Sequence, residues 1–336
     1  MATPRHIDSF QALRALFVTL IFLSHCPGGD SSLLPEGGNA GVSFFFLLSG
    51  FVLSYSMHGR TVRFAPFMRA RLRRIYPVYL TALVAALPVM SWNFSVANLL
   101  PLLTLTQSWW PDPAIFFGGD SPAWFLSDLL FFYILFKLLY KLLSSASLRC
   151  ALSVAGAAYA TEIIVLLTVE DVAGMPWSLY VFPPARLLDF VTGMVMQKLF
   201  AEASPKRRIA GIRASVLQMF TVLTVAGAMI AATHLSERFT LSAIYLPVSA
   251  AVVLVWALTD SAATPLNRLM RWRPLQSFGA VSLEFYLLHV PVLVVVKRCI
   301  SDHAAVAALA FALALAAACA MHRLFSCRGQ GRCAVS

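Results

Sequence analysis

Charge is scarce in this chain. Only 12% of its 336 residues are Asp, Glu, Lys or Arg, against 59% hydrophobic, and the mean hydropathy is +0.76. A soluble domain of this length carries more polar surface than that, so an integral membrane protein is expected. Long polar stretches are missing too. The longest run roughly 15 to 30 residues, short of the ~50 that a separately folding domain needs, and one transmembrane domain over 1–336, with no separate soluble domain, is expected. Acidic residues are outnumbered, 15 against 26 Lys and Arg, giving a net charge of +11. The basic residues occupy short intervals between apolar segments, where orientation signals belong, so nucleic acid is not the expected partner. No CxxC or zinc-ligand spacing joins Cys26, Cys150, Cys299, Cys319, Cys327 and Cys333, which argues against a disulfide framework and a metal site. No repeat relates the two halves, which weakens a duplicated-transporter architecture. The start, MATPRHIDSF, has the look of a signal-peptide n-region, but the apolar run after it is interrupted by Arg14 and lacks a small-residue cleavage site.

Apolar runs of about 20 residues, each enough to cross a bilayer, recur at 10–26, 40–57, 75–91, 122–142, 150–168, 180–201, 214–234, 240–258, 276–297 and 304–324. Residues 94–108 are shorter and broken by Pro101. If that segment does not span, HGRTVRFAPFMRARLRR, the interval around Lys141 and Arg149, SPKRRIAGIR and NRLMRWRP all fall on the cytoplasmic side. The expectation is therefore an all-α polytopic bundle of about ten transmembrane helices in the cell inner membrane, with both termini cytoplasmic. Residues 92–121 become an outer loop that dips into the membrane or lies along it. Lys297 and Arg298 then sit, against the rule, at the outer end of the ninth segment. Two short matches, a C-terminal CAVS prenylation pattern at Cys333 and an Asn93-Phe94-Ser95 glycosylation pattern, are no more than chance would give.

Inside the first apolar run stand Arg14 and His25. Eleven residues at roughly 100° each return them to within about 20° of one helix face, some 16 Å apart along the axis. Charged groups at membrane depth generally face a cavity or a partner. The pair therefore either lines a polar passage, or Arg14 snorkels to one interface while His25 caps the other end.

Beyond His25 come GGNAGVSFFFLLSGFVLS, with Gly41 and Ser49-Gly50-Phe51, and then Arg71-Leu72-Arg73-Arg74-Ile75-Tyr76-Pro77. PAWFLSDLLFFYILFKLL, ARLLDFVTGMVM and FGAVSLEFYLLHVPV follow, the last with Gly279, Ser282, Tyr286, His289 and Pro291. In order and spacing these resemble the acyltransferase 3 family of membrane O-acyltransferases: an Arg, ten residues and a His, then SGF-like, RxxRIxP, WxLSxExxFY, RxxEFxxGxxL and SYxxYLxHxP blocks. One position departs. Counting from Trp124, Leu129 stands where the family has Glu, and the nearest carboxylate, Asp128, is one residue earlier, about 100° round a helix.

The resemblance implies transfer of an acetyl or other short acyl group from cytoplasmic acyl-CoA to a hydroxyl of a polysaccharide or lipid-linked glycan outside. Acyl-CoA is a donor substrate, and no cofactor is bound permanently. His25 is the expected general base, taking the proton of the attacking hydroxyl, or a transient acyl carrier. If a carboxylate orients it, Asp128, Asp189, Glu284 and Asp8 are the candidates. Arg14, Arg71 and Arg74 suit the phosphates of CoA, although the run His58–Arg74 also serves as an orientation signal and an anionic-lipid patch. Arg186 is either a substrate contact or the partner of Asp189 three residues on. Tyr286 and His289 border the acceptor site or only the interface. Ser127, Tyr133 and Ser282 fit hydrogen bonds within the bundle, and Phe44-Phe45-Phe46 fit packing or lipid contact. Some relatives add a C-terminal SGNH domain, so this chain is expected to act alone or with a separate transfer partner. A secondary transporter of an anionic solute, using Arg14 and His25, is the rival reading, and a membrane scaffold the third.

Overall fold

The computed structural model describes residues 6–28, 31–90, 95–168, 177–203 and 209–330. The Asn93 and Cys333 matches fall outside them. The regular structure of the described residues is helical, apart from a two-residue antiparallel pairing of Pro27–Gly28 with Ser31–Ser32. The helices are α1 (Asp8–His25), α2 (Gly37–Met57), α3 (Phe64–Ala86), α4 (Val96–Leu103), α5 (Pro113–Phe116), α6 (Trp124–Ser145), α7 (Leu148–Thr168) and α8 (Pro183–Ala203). They continue with α9 (Gly211–Ala232), α10 (Glu237–Leu241), α11 (Tyr245–Thr259), α12 (Pro265–Met270), α13 (Arg273–Ala280), α14 (Ser282–Cys299) and α15 (His303–Gln330).

Seven helical segments are long and apolar enough to cross a membrane, or eight if the bent pair α13–α14 counts as one. α1 and α3 are not among them. Asp8, Gln11, Arg14 and His25 dilute the first, and Arg69, Arg71, Arg73 and Arg74 the second. The basic segment before residue 75 is not a loop: it forms the first half of α3, which starts at Phe64 and runs through Pro77. Within residues 95–108 no helix is long enough to span. α4 has 8 residues, about 12 Å of helix, and a short 3-10 turn over Gln107–Trp109 follows it. Trp109 and Trp110 are exposed there, as interfacial aromatics are.

The bundle is built around α2. In its most apolar 18-residue stretch 67% of residues are buried, against 11% in α7 and 17% in α9, whose outward Leu, Ile and Val side chains are exposed. Phe44 and Phe46 are packing residues rather than lipid contacts. Phe44 stacks on Phe17 of α1, and Phe46 on Phe125 of α6. Where α2 crosses α8 the backbones touch: a Cβ on Gly50 would strike the Phe190 carbonyl, and one on Gly193 the Leu47 carbonyl. Without water to drive association, such close approach is what holds membrane helices together.

One end of the bundle is basic. There Ser9 N donates to Asp260 Oδ1 at 2.9 Å, and Asp8 pairs with Arg271 at 3.4 Å and His6 at 2.9 Å, tying the start of α1 to α11 and α12. At the far end Lys297 Nζ donates to the His25 carbonyl at 3.2 Å and Arg298 Nη2 to the Val89 carbonyl at 2.6 Å. Both acceptors are carbonyls at or just past helix C-termini, the negative ends of their dipoles. That accounts for two cations at an end where orientation signals do not place them.

Candidate active site

A cavity of about 320 Å³ opens among α1, α2, α3, α6, α14 and α15. At the basic end its wall is Arg14, Arg71, Arg73, Arg74 and Tyr133. The three arginines of α3 come to it because they lie just before the half of the helix that buries Val78, Tyr79, Ala82 and Leu83. Arg14 is held by Gln11 Oε1 at 3.0 Å, and Arg71 lies over the Phe67 ring at 5.4 Å with its Nε buried and unbonded. Among the described residues no carboxylate pairs with any of the four guanidiniums. The carboxylate in this wall, Glu284, instead accepts a hydrogen bond from His322 Nδ1 of α15 at 2.7 Å. Several unneutralised forks converging on one cavity form a site for a multiply charged anion, since phosphate oxygens are the groups they bind in pairs. Arg73 belongs to this wall although the spacing of the motif did not single it out.

Toward the far end the cavity is lined by Ile21, Val42, Phe125 and Tyr286, and Tyr286 donates its hydroxyl to the Pro122 carbonyl at 2.9 Å. One turn beyond, on two helices that run the same way, stand His25 and His289, their ring centroids 4.9 Å apart. The hydrogen bonds assign their protons. His289 Nδ1 is 2.5 Å from the Tyr286 carbonyl, which can only accept, so Nδ1 carries the proton and Nε2 offers a lone pair. That lone pair meets His25 Nδ1 at 3.4 Å, and the same Nδ1 lies 2.8 Å from the Ile21 carbonyl. In neutral His25 the proton therefore sits on Nδ1, and Nε2 is left as a free base on a ring open to the surface.

Among the described residues no carboxylate orients His25. Asp8 is at the basic end, Glu284 is bound to His322, and Asp189 pairs with Arg186 at 3.3 Å. Asp128 is fully buried with neither oxygen hydrogen-bonded, and the polar groups facing it are those of Ser108 and Arg186. It is Leu129 that lines the cavity, as the 100° step between the two positions requires. Arg186 also lies outside the cavity wall. Its donors go to the Leu241 carbonyl at 2.9 Å, Ser43 Oγ at 2.7 Å and Asp189. The structure thus gathers Arg14, Arg71, Arg74 and Tyr286 in one cavity, sets His25 and His289 one turn above it, and leaves Asp128 and Arg186 in a separate buried polar region. Tyr133 and Ser282 line the cavity, whereas Ser127 is buried with its hydroxyl unbonded.

The sequence matches the family described as "Acyltransferase domain" over residues 7–323. It is 31% identical over 275 residues to "Acyltransferase MdmB" of Streptomyces mycarofaciens, a match covering 75% of this chain and 67% of that protein. It is 24% identical over 323 residues to "Putative peptidoglycan O-acetyltransferase YrhL" of Bacillus subtilis (strain 168), covering 86% of this chain and 49% of that one. The chain thus spans about two thirds of one relative and half of the other. No solved structure matches it significantly.

Proposed function

Because the chain belongs to the acyltransferase 3 family, whose domain it matches over residues 7–323, we propose that it moves an acetyl or other short acyl group from acyl-CoA at the basic end to a glycan hydroxyl at the far end. The observation that carries this reading is the unpaired arginine cavity ending one turn below a base-competent imidazole. CoA's phosphates lie against Arg14, Arg71, Arg73 and Arg74, and the pantetheine arm runs up between Phe125 and Tyr286. His25 Nε2 takes the proton of the acceptor hydroxyl as its oxygen bonds to the thioester carbonyl carbon. The tetrahedral adduct then expels sulfur, and the imidazolium returns the proton to the CoA thiolate. The Ile21 carbonyl, with His289 Nε2 as a longer second acceptor, takes the His25 Nδ1–H and holds the ring in the reactive tautomer. The acceptor is a polysaccharide, a lipid-linked oligosaccharide or, following the name of the Bacillus relative, peptidoglycan.

The same reading sets the topology. α1, α3 and the α13–α14 pair cross the inner membrane beside the seven apolar segments, since the residues that lower their hydropathy are those that line the cavity or its ends. Ten crossings result, with both termini and the basic end in the cytoplasm. The whole chain is one acyltransferase domain, and delivery to the acceptor is its own task or that of a separate partner.

The test is thioester turnover by the purified full chain with acetyl-CoA and cell-wall or capsular glycan fragments, read as free thiol and as ester on the glycan. His25→Ala should lower kcat by about 10²–10⁴-fold, the usual contribution of a positioned acid–base group. His289→Ala should lower kcat by a smaller factor, about 10-fold, while leaving KM for acetyl-CoA unchanged. Arg71→Ala should act chiefly on that KM. Full activity in the His25 variant, or no acyl-CoA binding by the wild type, sinks the reading.

A further inference from the structure

A second and larger cavity, of about 740 Å³, lies on the other side of α2, between α2, α6 and α8 at the basic end. Its cationic wall is Arg60, Lys137, Lys141 and Lys198, with His58 beside them, and Glu202 is the one carboxylate among its lining residues. None of these side chains is in an ion pair among the described residues, Glu202 included, although it is one turn from Lys198 on α8. Between the cations the surface is apolar, from Val62, Leu143 and Met194. The outer flank is apolar as well: Leu138 and Leu142, each next in sequence to a cavity lysine, are 55% and 56% exposed on the lipid side of α6. A charged recess at the membrane surface that continues sideways into an exposed leucine stripe has the shape of a phospholipid, headgroup in the recess and acyl chains along the stripe. Soluble nucleotides have no use for such a flank, and this cavity is separated from the proposed CoA site by α2.

We propose that this recess binds the phosphate of an anionic phospholipid of the adjoining leaflet, with Lys137, Lys141 and Lys198 as its ligands. Lysines that only snorkel lay their stems on apolar surface and carry their ammonium groups out to water. Here α6 and α8 bring the three lysines, and the α2–α3 turn Arg60, around one space, the arrangement in which basic pockets between membrane helices take lipid headgroups. The site is independent of acyl transfer and stands or falls without it.

Native mass spectrometry of the detergent-purified full chain tests it, with dioleoyl phosphatidylglycerol and dioleoyl phosphatidylcholine as probes and glycerol 3-phosphate as the soluble phosphate ester. Phosphatidylglycerol should be retained at least 10-fold more tightly than phosphatidylcholine. The triple variant Lys137→Gln, Lys141→Gln, Lys198→Gln should abolish the difference, and the corresponding triple Arg variant should keep it. Should the Gln triple fail to fold, Lys141→Gln and Lys198→Gln alone must each lower phosphatidylglycerol affinity. Unchanged affinity in the Gln variants overturns the proposal, and so does displacement of the lipid by an equal concentration of glycerol 3-phosphate, which would make the ligand a soluble phosphate.

Discussion

Asp120, in the loop just before α6, is 1% exposed and neither of its oxygens has a hydrogen-bond partner. Burial holds its carboxyl well above the ordinary carboxylate range. The unfolded chain gives up this proton near pH 4, while the folded protein keeps it to higher pH. Over that window the native state binds more protons, so Asp120 costs stability as pH rises toward its folded value. Asp120→Asn cannot ionise. It should match the wild type near pH 4 and melt about 2–4 °C higher near pH 7 in detergent melts across that range. A lower melting temperature at pH 7 would mean that the carboxylate is ionised and held by a partner. At this scale the sequence was informative where one helix sufficed: eleven residues placed Arg14 and His25 on one face. It was silent where two helices had to be set side by side. That His289 reaches His25, and that Glu284 is bound by His322, depends on the relative heights of α1, α14 and α15, which no spacing along one helix encodes.

Between elements, the α2–α8 crossing is the contact most sensitive to a single atom, because Gly50 and Gly193 each face a carbonyl of the opposing helix. Gly193→Ala should force the helices apart at a cost of about 1–3 kcal/mol, read as a lower melting temperature and less folded protein in the membrane. Gly227→Ala on α9, where an added Cβ meets nothing within 4 Å, should be silent. Apolar runs located most of the helices, because about 20 residues in lipid must be helical. They failed where polarity serves the cavity. α3 begins eleven residues before the apolar run at 75, and the segment read as one helix over 276–297 is broken at Val281 with a bend of 74°. Nothing in hydropathy separates a charged loop from a charged helix facing a cavity.

At the scale of the whole molecule, the proposed reading gives orientation and chemistry one set of residues: the arginines that mark the basic end also line the cavity above it. In that orientation Lys297 and Arg298 break the charge rule, and the carbonyls at helix C-termini that hold them supply a reason visible only once the helices are assembled. The single turn between the cavity's end at Ile21 and His25 has an electrical consequence. Four residues of helix amount to about 6 Å, against about 30 Å of hydrocarbon elsewhere. In the proposed reaction an acyl group passes outward over that distance while a hydrogen returns on the thiol. Hydroxyl becomes ester and thioester becomes thiol with no change of charge on either side, so turnover is electroneutral. In proteoliposomes carrying a potassium diffusion potential of either sign, the rate of esterification at saturating acyl-CoA should be unchanged. A rate that follows the voltage would mean that a charged group crosses that turn in the cycle, a full charge moved through 100 mV being worth about 2.3 kcal/mol.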